Sequence, residues 1–99
     1  MEANPDELIR VHIWVQGRVQ GVGFRAHVEY YGLQIGVKGW VRNVGYDTVE
    51  TIAEGTRTQI DKFIGLVKQG PRASRVDEAR MEYETVTGEF DGFGVKRNM

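Results

Sequence analysis

Ninety-nine residues, 40% of them apolar and 27% charged, suffice for one domain around one core. Cysteine is absent, which excludes disulfide frameworks, zinc–thiolate sites and thiol nucleophiles. A formal net charge of −1 argues against a general nucleic-acid binder, and no apolar run approaches a membrane span or a secretion signal, so a cytoplasmic protein without membrane contact is expected.

Residues 1–7 are polar and contain Pro5, and read as a flexible N-terminal arm ahead of a single domain over 8–99. From Ile9 to Gln16 the chain alternates, with Ile9, Val11, Ile13 and Val15 on one face and Arg10, His12, Trp14 and Gln16 on the other, the pattern of a half-buried strand. Phe24 to about Gln34 reads as a helix with Phe24, Val28 and Tyr31 as its inner stripe. Gly32 weakens that helix by about 1 kcal/mol relative to alanine and points to close packing. Val37–Val44 reads as a second strand that places Gly39, Val41 and Asn43 on one face and Trp40 and Arg42 on the other. After the Gly45-Tyr46-Asp47 turn, Thr48–Glu54 is a third strand with Val49, Thr51 and Ala53 together.

The second helix has the strongest local signals. Thr56 and Gln59 form a capping box, Ile60, Phe63, Ile64 and Val67 form a helical stripe, and Gly70-Pro71 closes the segment. Val76–Glu84 reads as a fourth strand with Ala79, Met81 and Tyr83 inward, and a short last strand is expected around Phe90–Lys96. The order β-α-β-β-α-β predicts an α+β ferredoxin-like sandwich: an antiparallel sheet of four to five strands with two helices on one face.

Between the first strand and the first helix lies Gly17-Arg18-Val19-Gln20-Gly21-Val22-Gly23, followed by Phe24-Arg25. Glycines let backbone N–H groups point inward, a helix N-terminus adds positive partial charge, and a guanidinium matches a phosphoryl group. Residues 8–43 carry five basic residues against Glu29 alone, a net of +4 around this loop, and a local positive field favours a small anionic ligand. On its residues alone the loop is either a tight turn needing positive φ or an anion nest. It lacks the Lys-Ser/Thr ending of a Walker A loop, and it is no dinucleotide fingerprint.

Ser74 is the only serine, and His12 and His27 are the only histidines, so a Ser–His–acid apparatus is poorly supplied and no metal-ligand spacing is present. His12 reads as a strand-surface residue and His27 as a helix residue beside the site. The carboxylates Glu50, Glu54, Glu78, Glu82 and Glu84 read as solvated strand faces. Asn43 is either a turn former or an amide able to orient a water for a reaction that needs positioning rather than a base.

The stretch Val15 to Arg25, with Gly39-Trp40-Val41-Arg42-Asn43, resembles the acylphosphatase family over about Val11–Val95. Ala53-Glu54-Gly55, Gly70-Pro71 and Gly88-Glu89-Phe90 also fit. The chain departs in the hairpin between the second and third strands, where the family often has Asp-Gly and this chain has Tyr46-Asp47 after Gly45, and at Gly32, where alanine is commoner in the family. The resemblance implies hydrolysis of a carboxyl–phosphate anhydride to carboxylate and inorganic phosphate, with Arg25 binding phosphate, Asn43 placing the attacking water and the loop amides wrapping the phosphate oxygens. It implies no cofactor, no metal and no phosphoenzyme, with inorganic phosphate as product and competitive inhibitor. The small size and the lack of an extra apolar face favour a monomer.

Two other readings stay open at this level. RNA-recognition domains share the element order but stack bases on third-strand aromatics, whereas Thr48–Glu54 has two glutamates and no aromatic, leaving only Trp14 and Trp40 as stacking faces. A catalytically silent phosphate-sensing domain would keep the same loop.

Overall fold

The structure, a computed structural model, describes residues 4–99. The chain runs β1 (Leu8–Arg18), α1 (Phe24–Ile35), β2 (Lys38–Val44), β3 (Thr48–Thr56), α2 (Arg57–Gln69), β4 (Arg75–Glu84) and β5 (Phe93–Val95). The strands form one sheet in the order β4-β1-β3-β2-β5. Of the expected N-terminal arm, residues 1–3 lie outside the described residues. Residues 4–7 are tied to the start of α2, where Arg57 N–H donates to the Glu7 carbonyl and Thr58 N–H to that of Pro5.

Alternation in β1 settles which side of the sheet is covered. Val11, Ile13 and Val15 pair with Ala53, Thr51 and Val49 of β3, and all six are buried. Onto them pack Phe24 and Val28 of α1 and Ile60, Phe63 and Val67 of α2. The capping box at Thr56 and Gln59 forms as expected, with Gln59 N–H donating to Thr56 Oγ1 and Thr56 N–H to Gln59 Oε1. Two details of the helical stripes differ. Ile64 is only half-buried, and in α1 the third inner place belongs to Gly32 rather than Tyr31. A Cβ on Gly32 would stand 3.0 Å from the Phe93 ring, so the helix gives up a side chain where β5 comes closest.

The sheet is mixed rather than purely antiparallel, because β5 runs parallel to β2. The cause is directional. The chain leaves β4 beside Arg10, at the end of the sheet where β1 begins, and residues 85–92 carry it along that end to the far edge. A strand that starts there must run with β2. The expected inward residues of β4 do share a face with the core, since Met81 pairs with Ile13 and Tyr83 with Val11. At the sheet edge, however, Ala79 and Tyr83 stay exposed and only Met81 is half-buried.

The face away from the helices corrects a second expectation. Glu50 and Glu54 are each only 7% exposed. Across the strands, Arg42 Nε sits 2.7 Å from Glu50 Oε1, and Arg10 Nη1 sits 3.0 Å from Glu54 Oε2. His12 places Nε2 2.6 Å from Glu50 and Nδ1 2.8 Å from Glu84, and Arg10 also reaches Glu84 and Glu89. The 85–92 segment closes over this network, with Thr87 and Gly88 N–H donating to Glu54. Glu78 and Glu82 remain exposed as expected. Each indole is occupied by the chain's own cations: Arg80 lies 4.2 Å from the Trp14 ring, and Arg42 and Lys96 lie 4.9 and 4.5 Å from that of Trp40.

Burial would raise the Glu50 carboxyl, but His12 and Arg42 outweigh it and hold the group below its usual range. For Glu54 burial is likewise outweighed, by the Thr87 and Gly88 amides with Arg10, and His12 and Arg10 lower Glu84. A carboxyl with a depressed folded-state pKa adds stability above its unfolded value and loses it as pH falls below that value. The melting temperature is therefore expected to hold from neutrality to about pH 5 and then to fall steadily below about 4.5, the ordinary glutamate value. A melting temperature that stayed level down to pH 3 in a thermal-melt series would mean the network contributes nothing.

Candidate active site

The site forms where the β1–α1 loop meets the end of β2. The register brings it there: Asn43 pairs with Val49, and Val49 pairs with Val15, two residues before Gly17. The loop is shorter than the sequence implied. Gly17 and Arg18 still pair with β4 beyond a bulge at Gln16/Gly17. Gly17 has φ 139°, and a Cβ there would collide with the Arg75 carbonyl of β4, so its glycine serves strand packing. Arg18 is exposed.

Beyond Arg18 two anchors hold the loop. Val19 is 1% exposed and inserts into the core. Gln20 turns its carboxamide away to the β2–β3 hairpin, where Nε2 donates to the Thr48 carbonyl at 2.9 Å and the Gly45 carbonyl at 3.2 Å. Between these anchors and α1, Gly21 and Gly23 take φ 72° and 80° with open space where a Cβ would be. These two glycines therefore answer to backbone conformation, and a side chain at either would strain the loop.

Gly23 caps α1 without any side-chain hydrogen bond, and the first turn holds no acidic residue. The first amides of α1 are thus left without a side-chain acceptor, and the positive end of the helix faces outward uncompensated. Arg25, in that same first turn, adds a full charge. Among the described residues it makes no salt bridge, and its one side-chain hydrogen bond runs from Nη1 to Asn98 Oδ1 at 2.8 Å. A cation beside a helix N-terminus is unfavourable by about 0.3–1 kcal/mol in isolation, which an anion bound between the two would reverse.

These groups line one open cleft of about 330 Å³. Its walls include Val19, Gly21, Gly23, Arg25 and Asn43 from the expected set, and Phe24, Ala26, Glu29 and Val95 beside them. Gly17, Arg18, Gln20 and Val22 support the loop without lining the cleft. Asn43 is 9% exposed, and its carboxamide has no hydrogen-bond partner among the described residues, while its backbone is held by Asn98 and Met99. His27 points elsewhere than expected, its Nε2 lying 3.1 Å from the Leu66 carbonyl of α2. Glu29, Val95 and Asn98 carried no signal that would have marked them: Glu29 looks like any helix-surface acid, and the other two arrive through the path of β5.

A larger groove of about 550 Å³ lies on the opposite face of the sheet, along Trp14, Gln16, Thr48, Glu78, Ala79 and Arg80. Its one cation is stacked on Trp14, and it has no helix terminus or glycine loop. The smaller cleft is where anion-binding groups converge.

A ferredoxin-like fold with a cleft at a helix N-terminus, lined by glycines, Arg25 and Asn43, defines a small α+β protein. The acylphosphatase family model matches residues 11–95. The chain is 39% identical over 89 residues to an acylphosphatase of Roseiflexus sp. (strain RS-1), covering 90% of this chain and 96% of that one. It is 44% identical over 91 residues to that of Trichormus variabilis, covering 92% and 89%. The crystal structure of acylphosphatase from Bacillus subtilis superposes with a TM-score of 0.84 at 32% identity, over 89% of this chain and 98% of that one. The chain belongs to the acylphosphatase family, and it is an enzyme that hydrolyses the carboxyl–phosphate bond of acyl phosphates.

Proposed function

We propose that the enzyme works without a metal or a covalent intermediate, by holding the phosphoryl group on Arg25 and the loop amides while Asn43 places the attacking water. The observation that carries this is the convergence in one cleft of Arg25, a helix N-terminus without a side-chain cap and the Asn43 carboxamide, which has no partner among the described residues.

An acyl phosphate already has a good leaving group, a carboxylate, so little acid help is required. What the protein must supply is position and charge stabilisation for a loose phosphoryl transition state. The water oxygen bonds to phosphorus as the bond from phosphorus to the acyl oxygen breaks, and the carboxylate leaves with that electron pair. The water's proton passes to a phosphate oxygen, giving carboxylate and dihydrogen phosphate. Asn43 suits this step because its amide can accept from and donate to a water yet takes no proton itself. Glu29 is the one carboxylate in the wall, and this route gives it no proton to accept.

The reading includes inorganic phosphate as product and competitive inhibitor. It also includes a monomer in the cytoplasm. Hydrolysis of an aryl acyl phosphate is expected to proceed at full rate with a chelator present, and its pH–rate profile to lack a steep limb belonging to an enzyme side chain. Loss of activity on chelation, restored by a divalent cation, would overturn the metal-free route.

A further inference from the structure

We propose that Asn98 is a positioning residue for the reaction, fixing the Arg25 guanidinium in its phosphate-binding orientation; the inference rests on the phosphate role given to Arg25 above. One oxygen does this. Asn98 Oδ1 accepts from Arg25 Nη1 at 2.8 Å and also from the backbone N–H of Asn43 at 3.3 Å. The two residues assigned to the chemistry stand on different elements, a helix and a strand, and this carbonyl oxygen joins them directly.

Asn98 is itself held firmly enough to act. After β5, residues 96–99 continue along the edge of β2: Lys96 N–H donates to the Val41 carbonyl at 2.8 Å, Met99 N–H to that of Asn43 at 2.9 Å, and Gly45 N–H to that of Met99 at 3.0 Å. These bonds bracket Asn98 on both sides. Arg25 has no other side-chain hydrogen bond among the described residues, so without Asn98 its long side chain would sample several rotamers before each encounter.

The choice of an amide is chemically informative. A carboxylate at this position would also accept from the guanidinium, but it would cancel the charge that the phosphate must meet. A neutral acceptor orients the arginine and leaves its charge and its remaining N–H donors for the ligand. Asn98 is exposed, so its side chain is not part of the packed core and its replacement leaves the fold in place.

The test compares wild type with Asn98→Ala, Asn98→Asp and Arg25→Ala. It measures kcat and KM on an aryl acyl phosphate, competitive inhibition by inorganic phosphate, and the melting temperature. Asn98→Ala is expected to raise both KM and the phosphate inhibition constant about tenfold, the scale of one hydrogen bond to a charged group, with a cooperative melt at a slightly lowered temperature because the Asn43 N–H loses its acceptor. Asn98→Asp keeps the acceptor yet is expected to weaken phosphate more than alanine does, by a margin that shrinks with added salt. Phosphate inhibition and KM within twofold of wild type in Asn98→Ala would overturn the proposal, as would tighter phosphate binding. Lost activity that tracked a lowered melting temperature, with phosphate inhibition unchanged, would also overturn it by making Asn98 a residue of stability. Arg25→Ala separates the two levels: if it retains wild-type phosphate inhibition, the role of Arg25 fails, and if it alone loses phosphate, only the role of Asn98 fails.

Discussion

Replacing Arg25 with alanine is expected to lower kcat/KM by at least about 10³-fold, with phosphate inhibition lost in the same variant. Removal of one neutral oxyanion donor typically costs about 10²–10³ in rate. Arg25 supplies a full charge and a planar fork, and arginines that stabilise phosphoryl transition states contribute roughly 10³–10⁵. Binding and turnover fall together because the phosphoryl group carries its charge in the ground state as well as in the transition state. Arg25→Lys is expected to recover only a small part, since an ammonium keeps the charge but not the fork. Stability should move in the opposite direction from activity. Arg25 stands in the first turn of α1, where the cap offers no side-chain partner and no acid is present, so the cation opposes the helix dipole. The alanine variant should therefore melt at the wild-type temperature or slightly above it. A variant that lost activity because it had lost its fold would contradict this account, and the thermal melt distinguishes the two.

That opposition of charge and helix end is an instance of what the sequence could and could not convey. Local periodicities were legible: the alternation of Ile9 to Val15, the capping box at Thr56 and Gln59, and the stripe of Ile60, Phe63 and Val67 all appear where the pattern put them. That Arg25 and Asn43 would meet was legible too, because two short motifs mark them and the strand register then brings them to one cleft. What escaped depends on residues far apart in the chain. The direction of β5 follows from which end of the sheet β4 finishes at, and no local pattern encodes that. Glu50 and Glu54 look like ordinary solvated acids until Arg42 and Arg10 are set opposite them across the strands and Thr87 and Gly88 close over them. Gly32 was legible as a place of close packing, but its neighbour was not: a Cβ there would stand 3.0 Å from the ring of Phe93, which arrives with β5. Asn98 reaches Arg25 across 73 positions of sequence, through a segment whose place is set by β2.

Replacing Asn43 with alanine is expected to give the complementary result, a fall in kcat of about 10²–10³-fold with phosphate inhibition within about threefold of wild type. The separation follows from what each part of Asn43 does. Its backbone carbonyl accepts from Met99 N–H, and its N–H donates to Asn98; neither bond involves the group that alanine removes. Its carboxamide has no protein partner among the described residues, so truncation orphans no buried donor or acceptor and should leave the melting temperature close to wild type. The loss is then confined to the molecule the carboxamide is proposed to hold, the attacking water, which contributes nothing to binding phosphate and everything to the line of attack. Asn43→Asp sharpens the comparison. It preserves size and can still accept from a water, but it sets a negative charge in a cleft meant for an anion, so phosphate inhibition should weaken as well. If Asn43 were a turn former or packing residue only, Asn43→Ala would turn over at close to the wild-type rate, and the water would need another holder. If it bound phosphate directly, Asn43→Ala would lose inhibition and turnover in the same proportion, as Arg25→Ala is expected to do. The ratio of the two losses, measured on one substrate and one inhibitor, therefore separates a group that positions the nucleophile from one that binds the electrophile.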